Sequence, residues 1–185
     1  MKVLVIPEDP RLDQYILKPV VERIFADFGK APRVTVLSKP RLRGVAQALN
    51  PSILADIVAT YSMNDLFLVL VDRDGDKARA AVARAREAEH SGRLFVCLAI
   101  EEIEVWMLAI HSETLGTGWR EIQAEIHPKE RFAQPFLQER APKLDAGQGR
   151  GWAMRDLGRQ WRGVLRRCPE LDELKGRIEA WLAAG

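Results

Sequence analysis

Short apolar runs recur along the first hundred positions, and helical periodicity separates each from the next. Residues 2–6 (KVLVI), 33–37 (RVTVL), 66–71 (LFLVLV) and 93–100 (RLFVCLAI) read as strands. Between the first two, Leu12, Ile16, Val20, Ile24 and Phe28 fall every four residues, the spacing of one helix face, and Gly29 stops the pattern. Helical sequence over 45–61 is broken at Asn50-Pro51, and a third helix is expected over about 76–89. Nearly uniform apolar strands alternating with helices predict an α/β fold with a parallel four-stranded sheet, both faces covered.

Beyond residue 100 the pattern turns to helix and loop. EEIEVWMLAIHSETL reads as a strong helix, and HPKERFAQPFLQERAPKLDAGQGRG as partly irregular, punctuated by Pro and Gly. Two last helices are expected over about 152–168 and 169–184, the second with Leu171, Leu174, Ile178 and Trp181 on one face. The division is therefore an α/β core over 1–115 and a mainly helical, basic extension over 116–185 packed on it.

Composition changes this picture in three ways. Cys97 and Cys168 have no metal-type spacing and imply no disulfide framework. The first apolar run is too short for a secretory signal and no run suits a membrane span, so a cytoplasmic protein without membrane contact is expected. Net charge is only +2, but it is unevenly spread. Residues 28–55 hold five basic side chains and no acid, and residues 140–167 hold eight basic side chains against Asp145 and Asp156. Such local excess points to a polyanionic partner, nucleic acid (DNA or RNA).

Three predicted strands end in acids: Glu8-Asp9 after the first, Asp72, Asp74 and Asp76 after the third, and Glu101, Glu102 and Glu104 after the fourth. In a parallel sheet these ends share one edge, where ligand sites form. Ionised carboxylates crowded there repel by several kcal/mol at ~4 Å and intermediate dielectric, unless water or cations separate them. Glu8, Asp72 and Asp74 suffice for one Mg²⁺ or Mn²⁺, with Glu104 completing that site or supporting a second ion. Individually the acids have plainer readings. Asp74 or Asp76 suits a helix cap, and Glu101 and Glu102 suit a helix first turn. A calcium loop starting at Asp72 fails, because Lys77 and Ala83 stand where it needs Gly and Glu.

VDRDGD followed by AIEEIEVWMLA, with Glu8 after the first strand, resembles the TOPRIM domain, found in topoisomerases, primases and OLD-family nucleases. More narrowly, it is similar to small TOPRIM-like proteins linked with ATPases in bacterial defence systems, over about residues 1–115 with an echo in APKLDAGQGRG. The resemblance implies that Glu8, Asp72, Asp74 and Glu104 hold Mg²⁺ or Mn²⁺ and carry phosphodiester hydrolysis. It also implies an ATPase partner and admits a homodimer. Where the family has Glu-Gly after the first strand, this chain has Glu8-Asp9, which keeps a non-catalytic subunit binding nucleic acid or an ATPase as the alternative.

Arg155, Arg159, Arg162 and Arg166 fall on one helical stripe, with Leu157, Trp161, Val164 and Cys168 opposite. With Arg41, Arg43 and Arg150 they are the candidate phosphate contacts, since guanidinium forks match phosphate oxygens. Trp152 is placed either to stack on a base or to pack in the core. His111 shares a helix face with Glu104, and His90 and His127 receive no role.

Overall fold

The strands form where the apolar runs place them: β1 (Lys2–Ile6), β2 (Arg33–Val36), β3 (Leu66–Asp72) and β4 (Leu94–Ala99). In the computed structural model, which describes residues 1–184, they make one parallel sheet in the order β2-β1-β3-β4. Val3 pairs with Val34 on one side and Leu66 on the other, and Asp72 pairs with Ala99 at the carboxyl end. Every residue of β3 is buried, which is why its sequence does not alternate.

The helices are α1 (Gln14–Ala26), α2 (Val45–Ala48), α3 (Pro51–Thr60), α4 (Arg79–Glu89), α5 (Glu104–Ile110), α6 (Trp119–Ala124), α7 (Gln134–Arg140), α8 (Arg150–Ala153), α9 (Leu157–Arg167) and α10 (Pro169–Ala184). A π-helical turn, Lys129–Ala133, leads into α7, and a 3-10 turn, Met154–Asp156, into α9. The break between α2 and α3 has a local cause. Asn50 caps α3 by accepting the Ile53 N–H at 3.1 Å, and Pro51 occupies its first turn.

Strand side chains alternate between two apolar layers. Val3, Val5, Leu68 and Leu70 face α1, α5, α9 and α10, whereas Leu4, Ile6, Phe67, Val69 and Val71 face α2, α3 and α4. The chain leaves β1 for β2 over the first face, then returns past β1 to β3 and on to β4 over the second. Crossovers of one hand require this change of face when the direction reverses. The reversal lies between β1 and β3, so the crevice beyond their carboxyl ends is the topological switch point.

The C-terminal helices share the first layer with the sheet. Indole N–H groups pin them to the rest of the chain: Trp161 donates to Asp27 (2.8 Å), Trp106 to Glu170 (2.7 Å) and Trp181 to the Gly92 carbonyl (2.9 Å). Among the described residues no helix is long and apolar enough to cross a membrane.

Several boundaries differ from the sequence expectation: the helix read to residue 115 ends at Ile110, and the one read over 152–168 is split into α8, a 3-10 turn and α9. The helix expected from residue 101 starts at Glu104, because the Glu101 carbonyl accepts the N–H groups of Arg73 and Asp74 and is held in the loop. The helix expected from residue 76 starts at Arg79, because Asp76 forms a turn through the Ala78 N–H (2.9 Å). Helix α6 was not anticipated.

Candidate functional site

β3 delivers Asp72 to the switch point, 6% exposed, where its Oδ1 accepts the Ile103 N–H at 2.8 Å. β1 delivers Glu8, whose carboxyl hydrogen-bonds with that of Asp72. The loop after β3 then turns sharply. Asp74 and Gly75 both adopt positive φ, 47° and 69°, a conformation Asp tolerates and Gly takes freely. The turn is clamped by Glu101, whose carboxylate accepts from the Arg73 guanidinium and the Gly75 N–H. Arg79, one turn further on, donates to the Asp72 carbonyl (2.9 Å) and to Asp74 Oδ2 (2.6 Å).

The loop after β4 supplies the opposite wall. Oxygens of Asp72, Asp74 and Glu102 all lie within 4.8 Å of one another. Two oxygens on opposite sides of a Mg²⁺ ion are ~4.2 Å apart, so this spacing fits one hard cation after a small closure. Glu104 is placed differently from expectation. It is 1% exposed, with Oε1 held by Arg150 Nη2 (2.6 Å) and Lys129 Nζ (3.6 Å), and it is Glu102 that stands beside Asp72 and Asp74. Arg150, read from sequence as a nucleic-acid contact, is 2% exposed and turned inward on Glu104. A guanidinium at that depth is out of reach of an external phosphate, and its charge is already matched.

Electrostatics report the crowding. Burial, then the charges of Glu8 and Glu104, push the Asp72 carboxyl up to about 10. Burial also raises Glu8, with the Asp72 hydrogen bond opposing it and Asp74 reinforcing it. Asp13, buried at the start of α1 and accepting the Asp9 N–H (3.2 Å), is pushed up to about 7 by burial and by Glu104. Glu102 rises to about 7 by burial, against the hydrogen bond from the Lys129 N–H. Lys129 is itself raised: burial opposes its charge, but Glu104 and Asp13 outweigh that. Six carboxyl groups (Glu8, Asp13, Asp72, Asp74, Glu102, Glu104) therefore face three cations (Arg79, Lys129, Arg150).

Asp13, Glu102, Lys129 and Arg79 were missed as site residues. Asp13 and Lys129 carry no strand-end signal, and Glu102 reads from sequence as a helix first-turn acid.

The basic candidates are arranged along the surface. Arg41 and Arg43 are exposed on the loop after the carboxyl end of β2, the same edge as the acids, and the charge of Arg41 reaches Asp9. Arg155, Arg159, Arg162 and Arg166 are all exposed. Arg155 lies 3.5 Å from Asp145 and Arg159 3.0 Å from Asp156, while Arg162 and Arg166 make no ion pair among the described residues. Arg155 borders a hollow with Gln14, Tyr15 and Lys18, and Trp161 bonds to Asp27 at the far end of α1. The stripe thus starts near the start of α1, at the acidic edge, and runs away from it. Trp152 stacks on His111 at 5.7 Å, and His111 Nε2 lies 2.8 Å from the Ala153 carbonyl. Both serve packing between α5 and α8.

The chain matches no protein-family model, no curated protein and no solved structure.

Proposed function

We propose that this protein is a TOPRIM-like, Mg²⁺- or Mn²⁺-dependent phosphodiester hydrolase acting on nucleic acid. The observation that carries the reading is the convergence of Asp72, Asp74 and Glu102 within 4.8 Å at the switch point, with Glu8 on Asp72. An all-oxygen donor set suits a hard divalent cation, and the surplus of carboxyls over nearby cations favours binding one. A bound ion supplies Lewis acidity toward a phosphoryl oxygen and acidifies water. Asp72, Asp74 and Glu102 are the holding residues. Glu8, its affinity for protons raised by burial, is the base that takes the proton of the attacking water. Arg150 and Lys129 fix Glu104 behind the site and limit the repulsion there. Arg41, Arg43 and the α9 stripe grip the phosphate backbone without reading sequence.

A second reading has its own support. Arg79 already pairs with Asp74, and Arg150 with Glu104, so part of the negative charge is neutralised internally. That suits a non-catalytic subunit that binds nucleic acid or an ATPase. Cleavage assays on single- and double-stranded DNA and on RNA, with Mn²⁺ or Mg²⁺, separate the two. Metal-dependent cleavage that falls at least ~100-fold in a folded Asp72→Asn variant is expected. No cleavage by the parent with any metal, alone or with an ATPase partner, hands the site to the binding reading.

A further inference from the structure

Glu102 belongs to two donor groups. One oxygen of Glu102 lies within 4.8 Å of Asp72 and Asp74, and Glu102 also lies within 4.8 Å of His127 and Glu130, which are themselves within that distance of each other. The second group is assembled by the π-helical turn. Pro128 is buried, and the Lys129 N–H donates to Glu102 Oε2 at 2.6 Å, so His127 and Glu130 flank the point where this turn docks on the loop after β4.

Apart from the Lys129 N–H on Glu102, no hydrogen bond or ion pair engages the side chains of this trio among the described residues. Of the neighbouring cations, Arg131 is committed to Glu125 (2.5 Å) and Glu121 (2.7 Å), and Lys129 Nζ lies 3.6 Å from Glu104. Among the described residues Glu130 makes no ion pair, and the His127 ring makes neither a hydrogen bond nor an ion pair within 4.0 Å. The other Glu102 oxygen accepts no hydrogen bond from the chain and reaches solvent. Separations above 4.0 Å and within 4.8 Å are too long for His127 to pair directly with the carboxylates. They approach the ~4.2 Å between opposite donors on one ion with ~2.1 Å bonds.

We propose that Glu102, His127 and Glu130 form a second cation site, with the Glu102 carboxylate shared as a bridge to the Asp72–Asp74 site. The bridge rests on the metal reading given above, but the His127 site has its own donors. An imidazole with two carboxylates suits Mn²⁺, Co²⁺ or Zn²⁺ better than Mg²⁺, which prefers oxygen alone. The two sites therefore differ in preference, and Mn²⁺ is the ion that suits both.

Mn²⁺ titration of the metal-free full chain, followed by calorimetry and electron paramagnetic resonance, tests this without any assay of activity. Two Mn²⁺ per chain and a spectrum broadened by coupling between them are expected. His127→Ala or Glu130→Gln, both at exposed positions, should leave one Mn²⁺ with an isolated signal. Mg²⁺ should compete at the Asp72–Asp74 site at least ~10-fold better than at the His127 site. A parent that binds a single Mn²⁺, or two that survive both His127→Ala and Glu130→Gln, overturns the proposal. The Asp72→Asn/Asp74→Asn variant distinguishes the two readings. One Mn²⁺ retained there, and lost on adding His127→Ala, upholds the His127 site even if no hydrolysis is ever found.

Discussion

Asp74 and Asp76 stand two positions apart in different surroundings. Asp74 takes a left-handed conformation that brings its carboxylate to Asp72 and Glu102, whereas Asp76 is an exposed turn residue on the Ala78 N–H. Asp74→Ala is expected to weaken Mn²⁺ binding and remove most hydrolysis. Asp76→Ala removes one exposed turn hydrogen bond, should cost at most ~1 kcal/mol of stability and leave metal binding alone. Calorimetric titration of both variants decides this, and the opposite ranking would refute the ligand assignment. Glu104 and Arg150 pose a different question, since both side chains are 2% exposed. Arg150→Ala leaves a buried carboxylate without its main partner and should cost about 3–5 kcal/mol. Glu104→Leu combined with Arg150→Met should recover most of that loss in urea unfolding. Asp13 gives the pH signature. Its carboxyl rises from an ordinary 3.8 to about 7 in the folded chain, so between those values the folded state holds a proton that the unfolded state has lost. Stability contributed by the protonated form is complete below about 4 and lost as pH rises through 7. Metal-free Asp13→Asn should therefore gain on the parent at pH 8, by at most about 4 kcal/mol, and match it at pH 4. Melting curves in chelator at the two pH values check the sign.

At the scale of elements, α9 and β4 each present an exposed problem. The arginines of α9 have few acids near them, and Arg162 and Arg166 have no ion-pair partner among the described residues. Replacing Arg159, Arg162 and Arg166 by Gln should weaken binding to every nucleic-acid sequence alike. The salt dependence should flatten by up to ~3 in slope if each contacts one phosphate. An unchanged slope means the stripe is only solvated. β4 is an edge strand, open to pairing with another chain. Here its Val96 N–H donates to Glu87 (2.6 Å) and its Val96 carbonyl accepts from Arg177 (3.3 Å), and these two side chains pair at 2.5 Å. The clamp covers the edge. Glu87→Ala with Arg177→Ala should promote association on mild heating, visible as light scattering below the parent's onset.

For the molecule as a whole, the acidic edge crowds carboxyls that could hold a metal ion. Replacing the crowded carboxyls by Asp72→Asn/Asp74→Asn should raise the melting temperature of the metal-free protein. The same change should abolish the further rise that Mn²⁺ gives the parent through linkage. A parent whose melting temperature ignores millimolar Mn²⁺ would count against any metal site at this edge. Which parts of this were legible follows from the range over which each signal acts. Strand positions, the helix break at Asn50-Pro51 and the amphipathic α9 depend on neighbours a few residues away, and the sequence by itself determined them. It also placed Glu8, Asp72 and Asp74 at one edge, because a parallel sheet leaves no other arrangement. Only the tertiary structure decided between Glu102 and Glu104, because the hydrogen bonds of Glu101 delay the start of α5 and Arg150, forty-six residues on, takes the Glu104 carboxylate. It alone turned Arg150 inward and brought Lys129, His127 and Asp13 to the acids. These are contacts between distant segments, formed when the C-terminal helices dock on the sheet. No local propensity encodes them, since the charge of a buried side chain is set by what packs against it.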